Sequence, residues 1–184
     1  MEFWLILIAL IIMLVSFPYL RCLCKRLACL WKVKRLCKKK GYALQPTHTL
    51  WYLGGKRGIK CDFYIETPRN VYAIKLFGMK RRLTTLILME NGEYCIKHIV
   101  GARHALFTWY TKPKVLPTYD FRYQFQEKWT AKKFHSILLI HPITMEVCLQ
   151  EKNGMQKGMY YGDEVNGMEI HSLQHLLKVL DETQ

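Results

Sequence analysis

The sequence predicts an α+β protein: one N-terminal transmembrane helix with a basic stalk, then a mainly antiparallel β domain closed by a C-terminal helix. Three observations support this fold class. Residues 3–20 form an apolar run without charge, alternating strand-like runs follow Gly41, and the last residues have helical spacing. We therefore predict a transmembrane helix over residues 1–20, a basic juxtamembrane helix over 21–40 and a cytoplasmic α+β domain over 41–184.

The apolar run is long enough to cross a bilayer as a helix. At ~1.5 Å per residue it extends ~27 Å, close to the ~30 Å thickness of the hydrocarbon core. A helix also satisfies every backbone polar group internally, as lipid requires. A cleaved signal peptide would need a basic start and a small-x-small cleavage site, and residues 1–20 contain neither. The run predicts an uncleaved anchor.

Basic residues follow the run directly. The chain has 184 residues and a net charge of +14, and nine of its 28 lysines and arginines precede Gly41, where Glu2 is the only acidic residue. The positive-inside rule then places the C-terminal domain in the cytoplasm, at the cell membrane, with the N-terminus outside. The predicted partners of these side chains are the lipid bilayer and its anionic headgroups. The nine residues are Arg21, Lys25, Arg26, Lys32, Lys34, Arg35, Lys38, Lys39 and Lys40.

Residues 21–40 continue the helical pattern, and two interpretations stay open. Leu20, Leu23, Leu27 and Leu30 recur at helical spacing, with Trp31 beside them. In the first interpretation the segment is a stalk that lies against anionic headgroups. In the second the leucines cover part of the domain, and the lysines are only a stop-transfer flank.

The seven cysteines indicate a reducing compartment rather than a disulfide framework. The four that precede Gly41 have gaps that match no zinc-ligand spacing, and Cys22 and Cys24 are candidates for S-acylation. We expect Cys61, Cys95 and Cys148 to pack as small buried apolar residues.

Six strand-like runs follow, and the dipeptide Asn91-Gly92 between two of them predicts a hairpin. We expect the first four runs to form an antiparallel meander, and residues 101–132 to be irregular with one short helix. Ser172 is the predicted N-cap of the closing helix, whose apolar stripe is Leu173, Leu176, Leu177 and Leu180. The six runs are 60–66, 71–77, 83–89, 93–100, 136–140 and 145–149.

Asp62-Phe63-Tyr64-Ile65-Glu66, a turn, and then Val71-Tyr72-Ala73-Ile74-Lys75 resemble the core hairpin of restriction-endonuclease-like (PD-(D/E)xK) nucleases. The resemblance implies that a strand-borne Asp and an acid-x-Lys pair on the next strand hold Mg²⁺ and activate water. Asp62 matches the first acid and Lys75 the lysine, but Ala73 stands where the second acid belongs. Glu66 is the nearest replacement, on the other side of the turn. The resemblance thus implies a degenerate nuclease domain, with Asp62, Glu66 and Lys75 as its candidate residues.

No other pattern completes a catalytic or metal motif. His171 and His175 are four residues apart and could face one metal, but the intervening residues lack the glutamate of a zinc-protease motif, so a solvated polar face is expected. Glycines 54, 55 and 58 lack the Gly-Lys-Ser/Thr end of a phosphate loop. We accordingly predict no metal site and no cofactor.

These patterns favour a non-enzymatic interaction or scaffolding module at the membrane, with a protein as a further partner. The alternative is a nuclease-related domain that binds nucleic acid near the membrane. Nucleic acid is the less favoured partner, because more than half of the excess positive charge lies close to the apolar run. The enzyme question stays open, with the incomplete motifs against catalysis.

Overall fold

Two helices and two sheets form three layers in the described part of the chain. The computed structural model describes residues 24, 26–46, 61–78, 84–102, 105–115, 131–141 and 146–183. Helix α1 covers residues 26–40, and helix α2 covers Leu173–Glu182. The strands, in chain order, are β1 (Ala43–Pro46), β2 (Phe63–Glu66), β3 (Asn70–Gly78), β4 (Thr84–Met89), β5 (Glu93–Ala102), β6 (Ala105–Tyr110), β7 (Lys114–Val115), β8 (Lys133–His141), β9 (Glu146–Gln150), β10 (Gln156–Gly158), β11 (Glu164–Val165) and β12 (Met168–Ser172).

The first sheet is mixed and has the strand order β1-β2-β3-β8-β12-β11. Strands β1, β2 and β3 are antiparallel neighbours, whereas β8 lies parallel to both β3 and β12. Residues 136–140 of β8 are all buried. Such an unbroken buried run is typical of a parallel strand that is covered on both faces.

The second sheet has the order β10-β9-β4-β5-β6, and β7 also pairs with β5. Strands β4 and β9 are parallel, while β4, β5 and β6 are antiparallel. The turn Asn91-Gly92 joins β4 to β5, as the sequence predicts, and Gly92 has the positive φ of 82° that such turns require.

The two helices cover one face of the first sheet. Helix α1 buries Cys29, Val33 and Cys37 against this face, and α2 buries Leu173, Leu176 and Leu180 there. The side chain of Ser172 accepts a hydrogen bond from the His175 N–H at 3.1 Å, which confirms Ser172 as the N-cap. Because α1 contributes fully buried side chains to this core, residues 26–40 are part of the folded unit.

The second sheet covers the other face. Successive residues of β3 point to opposite sides, so Ile74 and Leu76 face the helices while Ala73 faces the second sheet. A second apolar core fills the space between the sheets. Its members from the two sheets include Ala73, Leu138, Ile170, Leu86, Leu88 and Val147.

The predicted fold class is wrong in its membrane-spanning helix. Among the residues that the structure describes, no helix is both long and apolar enough to cross a bilayer. Residues 1–20, where the transmembrane helix was expected, lie outside the described residues. The described residues have a strand-rich α+β content.

The predicted antiparallel meander is also wrong. Strands β2 and β3 belong to the first sheet and β4 and β5 to the second, and three pairs of described strands are parallel. The reason is topological: β3 pairs with β8, which follows it by roughly sixty residues, and single-sequence periodicity carries no information on distant pairing.

Several strands lie in segments that the sequence did not predict as strands, and these are β1, β6, β7, β10, β11 and β12. Residues 101–132 were expected to be irregular, but β6 and β7 lie within them. Residues 116–130 lie outside the described residues. Strand β12 was missed as well. It follows Asn166 and Gly167, which have φ values of 50° and 75° and form a tight hairpin turn with β11.

Candidate functional site

The exposed side of α1 is strongly basic. Cys29, Val33 and Cys37 recur every four residues and pack on the sheet, so the side chains about half a turn away point to solvent. We call this exposed side the basic face. It carries five exposed cationic side chains, which are Lys32, Lys34, Arg35, Lys38 and Lys39.

Two large apolar side chains also lie on the basic face. Leu27 is 42% exposed and Trp31 is 59% exposed. The sequence left open whether Leu27, Leu30 and Trp31 face lipid headgroups or cover part of the domain, and the structure leaves Leu27 and Trp31 exposed. The buried stripe instead consists of two cysteines and a valine, with Leu30 partly buried beside them.

The buried thiols of α1 act as apolar groups. Burial raises the pKa of Cys29 to about 12, an effect that the nearby positive charge of Lys32 only partly offsets. Burial likewise raises the pKa of Cys37 to about 11. Cys61, Cys95 and Cys148 are buried, as expected, while Cys24 is exposed. Cys22 lies outside the described residues.

The remaining basic residues of the predicted set have other positions. Arg21 and Lys25 lie outside the described residues, and Arg26 is partly buried. Lys40 Nζ lies 2.9 Å from Asp181 Oδ1, so it joins the end of α1 to the last turn of α2. Its hydrogen bond lowers the pKa of the Asp181 carboxyl.

A groove between α1 and α2 extends the basic face. The Arg35 guanidinium lies 5.7 Å from the centre of the Trp31 ring, within cation–π range. Asp181 is the acidic residue of the groove, and it is already paired with Lys40. The groove therefore combines positive charge with an indole ring. Its lining consists of Trp31, Lys32, Arg35, Leu36, Lys39, Leu177, Lys178 and Asp181.

The structure brings together two of the three nuclease candidates. Lys75 Nζ lies 3.5 Å from Asp62 Oδ1. Asp62 is 8% exposed, and its Oδ2 accepts a hydrogen bond of 2.6 Å from the Leu76 backbone N–H. The Asp62 backbone N–H also donates to the Ile74 carbonyl, so Asp62 connects the start of β2 to β3 through both its carboxylate and its backbone.

The third candidate lies elsewhere. Glu66 is four residues from Asp62 at the other end of β2, or ~13 Å along an extended strand. It accepts a hydrogen bond of 2.7 Å from Lys132 Nζ. Ala73, at the position of the family's second acid, is fully buried in the apolar core between the sheets. No group of three or more His, Cys, Asp or Glu side chains converges in a metal-binding arrangement among the described residues.

A hydrogen-bonded chain of four ionisable groups lies on the helix side of the first sheet. Glu169 Oε1 lies 2.7 Å from His135 Nδ1, and Glu169 Oε2 lies 3.1 Å from His171 Nε2. The two Nδ1 atoms of His171 and His175 are 3.0 Å apart. The hydrogen bonds from His135 and His171 lower the pKa of Glu169 to about 2. We call these four residues the histidine network.

The expectation of a solvated face for His171 and His175 is wrong for His171, which is 1% exposed. Sequence reasoning missed His135 and Glu169 altogether. The signal that could have found them is strand alternation: once 168–172 is read as a strand, Glu169 and His171 fall on one face. The partner His135 comes from the neighbouring parallel strand β8, which the sequence could not pair.

The basic face offers cations and an indole to an anionic surface, while Asp62 and Glu66 are engaged in holding strands and loops together.

Comparisons with family models, with curated proteins and with solved structures find no significant match to this chain.

Replacing Asp62 with alanine should lower the free energy of unfolding by about 1–3 kcal/mol, because the Leu76 N–H loses its acceptor in a buried position. Equilibrium unfolding in urea measures the change. Glu164→Ala, at an exposed carboxylate on β11, is the control and should change stability by less than about 0.5 kcal/mol. Equal stability of the two variants would contradict a structural role for Asp62.

Proposed function

We propose that this protein is a non-enzymatic interaction module that binds anionic lipid headgroups at a membrane surface through the basic face of α1. The observation that carries the proposal is the exposure of Trp31 among five exposed lysines and arginines on a helix whose other side is buried. Tryptophan favours the headgroup level of a bilayer, and lysine and arginine are attracted to anionic lipid.

The expected interaction is strong enough to hold a protein of this size reversibly. Each basic residue near an anionic surface contributes about 1 kcal/mol. The exposed parts of Trp31 and Leu27 would add apolar burial. Because α1 is already folded onto the first sheet, little ordering cost offsets these gains.

The proposal also predicts where in the cell the protein is located. Anionic lipids are concentrated in the cytoplasmic leaflet, so binding of this kind would place the basic face at the inner surface of the cell membrane. The proposed binding uses only α1 and the groove between α1 and α2. An acidic protein surface would be the other partner class with suitable charge, and the experiment below distinguishes it.

The engaged carboxylates support the non-enzymatic part of the proposal. The Asp62 carboxylate bonds the Leu76 N–H, and Glu66 bonds Lys132. Ala73, where the family's second acid belongs, is fully buried and lies in the apolar core between the sheets.

Binding of the full chain to two kinds of vesicle tests the proposal. One kind contains phosphatidylcholine alone, and the other also contains phosphatidylserine. We expect tighter binding to the second kind, and the difference should shrink as salt rises from about 0.1 M to about 1 M, since the screening length falls from ~10 Å to ~3 Å. Equal binding to both kinds at low salt would overturn the proposal and leave an acidic protein as the partner to examine.

As a second candidate, we propose a degenerate nuclease-related domain that binds nucleic acid. The observation that favours it is the approach of Lys75 Nζ to Asp62 Oδ1, at 3.5 Å, on neighbouring segments of one hairpin. It predicts DNA binding that survives moderate salt and depends on the hairpin, or Mg²⁺-dependent cleavage that is lost in Asp62→Asn. Binding that vanishes at moderate salt, without cleavage, would count against it.

A further inference from the structure

The two imidazole rings of the histidine network meet at the junction between β12 and α2. His171 belongs to the strand and is 1% exposed, while His175 lies in the first turn of the helix and is partly exposed. Their Nδ1 atoms are 3.0 Å apart, and the ring centres are 4.7 Å apart. We propose that this pair is a pH-dependent contact, closed when the two rings share one proton and opened by a second.

The hydrogen bonds fix the number of protons. Glu169 is an acceptor because its carboxylate is ionised, so His171 must donate from Nε2. As long as one of the two rings is neutral, one Nδ1 atom has a lone pair and accepts the Nδ1–H of the other ring. If both rings are protonated, two N–H groups face each other across 3.0 Å. That arrangement has no hydrogen bond and places two positive charges together, so the contact must open.

The groups around His175 also disfavour its charged form. Burial lowers its pKa below the ordinary value of 6.5, and the positive charges of His171 and Lys178 act in the same direction. Glu169 and Glu182 oppose this effect but do not cancel it. His175 also lies in the first turn of α2, where the helix dipole repels a cation.

The other groups next to the pair come from neighbouring elements. Tyr161, in the turn before β11, has its ring centre 6.2 Å from that of His175. His135 of β8 reaches the pair only through Glu169. His135 also stacks on Tyr72, at 5.0 Å between ring centres.

The sign of the pH effect follows from these shifts. A histidine with a lowered pKa in the folded state stabilises the fold above its ordinary value of 6.5, and this stability is lost as the pH falls through the folded pKa. Glu169 also has a lowered pKa, so its contribution is lost only below the ordinary carboxyl value of 4.5. The two effects therefore occupy separate pH ranges.

Thermal unfolding of the full chain between about pH 7.5 and about pH 5 tests the proposal. The melting temperature of the wild type should fall across this range, and His175→Gln should remove a clear part of the fall because glutamine cannot be protonated. His98→Gln, at a histidine of the second sheet, is the control and should keep the wild-type fall. A fall of wild-type size in His175→Gln would overturn the proposal.

Nuclear magnetic resonance of the wild-type chain gives a second test that needs no variant. The ring nitrogens of His175 should titrate with a midpoint below its ordinary value of 6.5. The backbone amides of residues 172–176 should shift with the same midpoint as the contact opens. A midpoint at or above the ordinary value, or amide signals that do not respond, would contradict the proposal.

Discussion

Changing Lys34, Arg35 and Lys38 together to glutamine should weaken binding of the chain to phosphatidylserine-containing vesicles about 100-fold. Each of these exposed side chains is worth about 1 kcal/mol near an anionic surface, and each 1.4 kcal/mol corresponds to a factor of ten. Vesicle sedimentation at low salt measures the partition coefficient. Binding to phosphatidylcholine vesicles should change little, because the lost term is electrostatic.

A matched control removes the same charge from another surface. The control residues are exposed and lie in the second sheet or in the segment that leads into it, and the first sheet separates them from α1. They are Lys112, Lys114 and Lys157. Their change to glutamine should reduce binding by less than about threefold, through the net charge alone. If both triple variants lose binding equally, total charge rather than the basic face is responsible, and the proposed function fails.

Replacing Val33 with aspartate should unfold the domain or lower its stability by more than about 4 kcal/mol. Val33 is fully buried between α1 and the first sheet, and an unpaired charge there is costly. Circular dichroism during denaturant titration reads the effect on the whole sheet. The prediction follows from α1 being a core element; a stalk outside the fold would tolerate the change.

The neighbouring residue supplies the control for this experiment. Lys34 is exposed on the same helix, and Lys34→Asp should change the free energy of unfolding by less than about 1 kcal/mol. It should still reduce binding to anionic vesicles, because it reverses a charge on the basic face. Stability equal to the wild type in Val33→Asp would show that α1 does not contribute to the core as the structure places it.

The cysteines of α1 show how periodicity can mislead. Leucine spacing pointed to a stripe that included Leu27 and Trp31, yet both are exposed and Cys29, Val33 and Cys37 form the buried side. Cysteine has a small apolar side chain when its thiol is unreactive, and burial raises the pKa of Cys29 to about 12. Treating these cysteines as apolar would have recovered the correct face.

The hairpin candidates show a different limit. Adjacency of Asp62 and Lys75 follows from local sequence, because a short turn joins the two segments. The environment of Ala73 does not, since it is covered by Leu86, Leu88 and Val147 from a sheet formed later in the chain. The packing of these side chains on Ala73 decides whether position 73 could hold a metal ligand.

By itself, the sequence determined the local elements: the β4–β5 hairpin at Asn91-Gly92, the buried strand at 136–140 and the closing helix capped by Ser172. Turn residues, caps and hydrophobic period act over a few positions, so they are visible in one chain. Only the tertiary structure decided which strands pair, which side of α1 is exposed and that His135 meets Glu169. Those features depend on contacts between residues far apart in sequence, which local physical preferences do not specify.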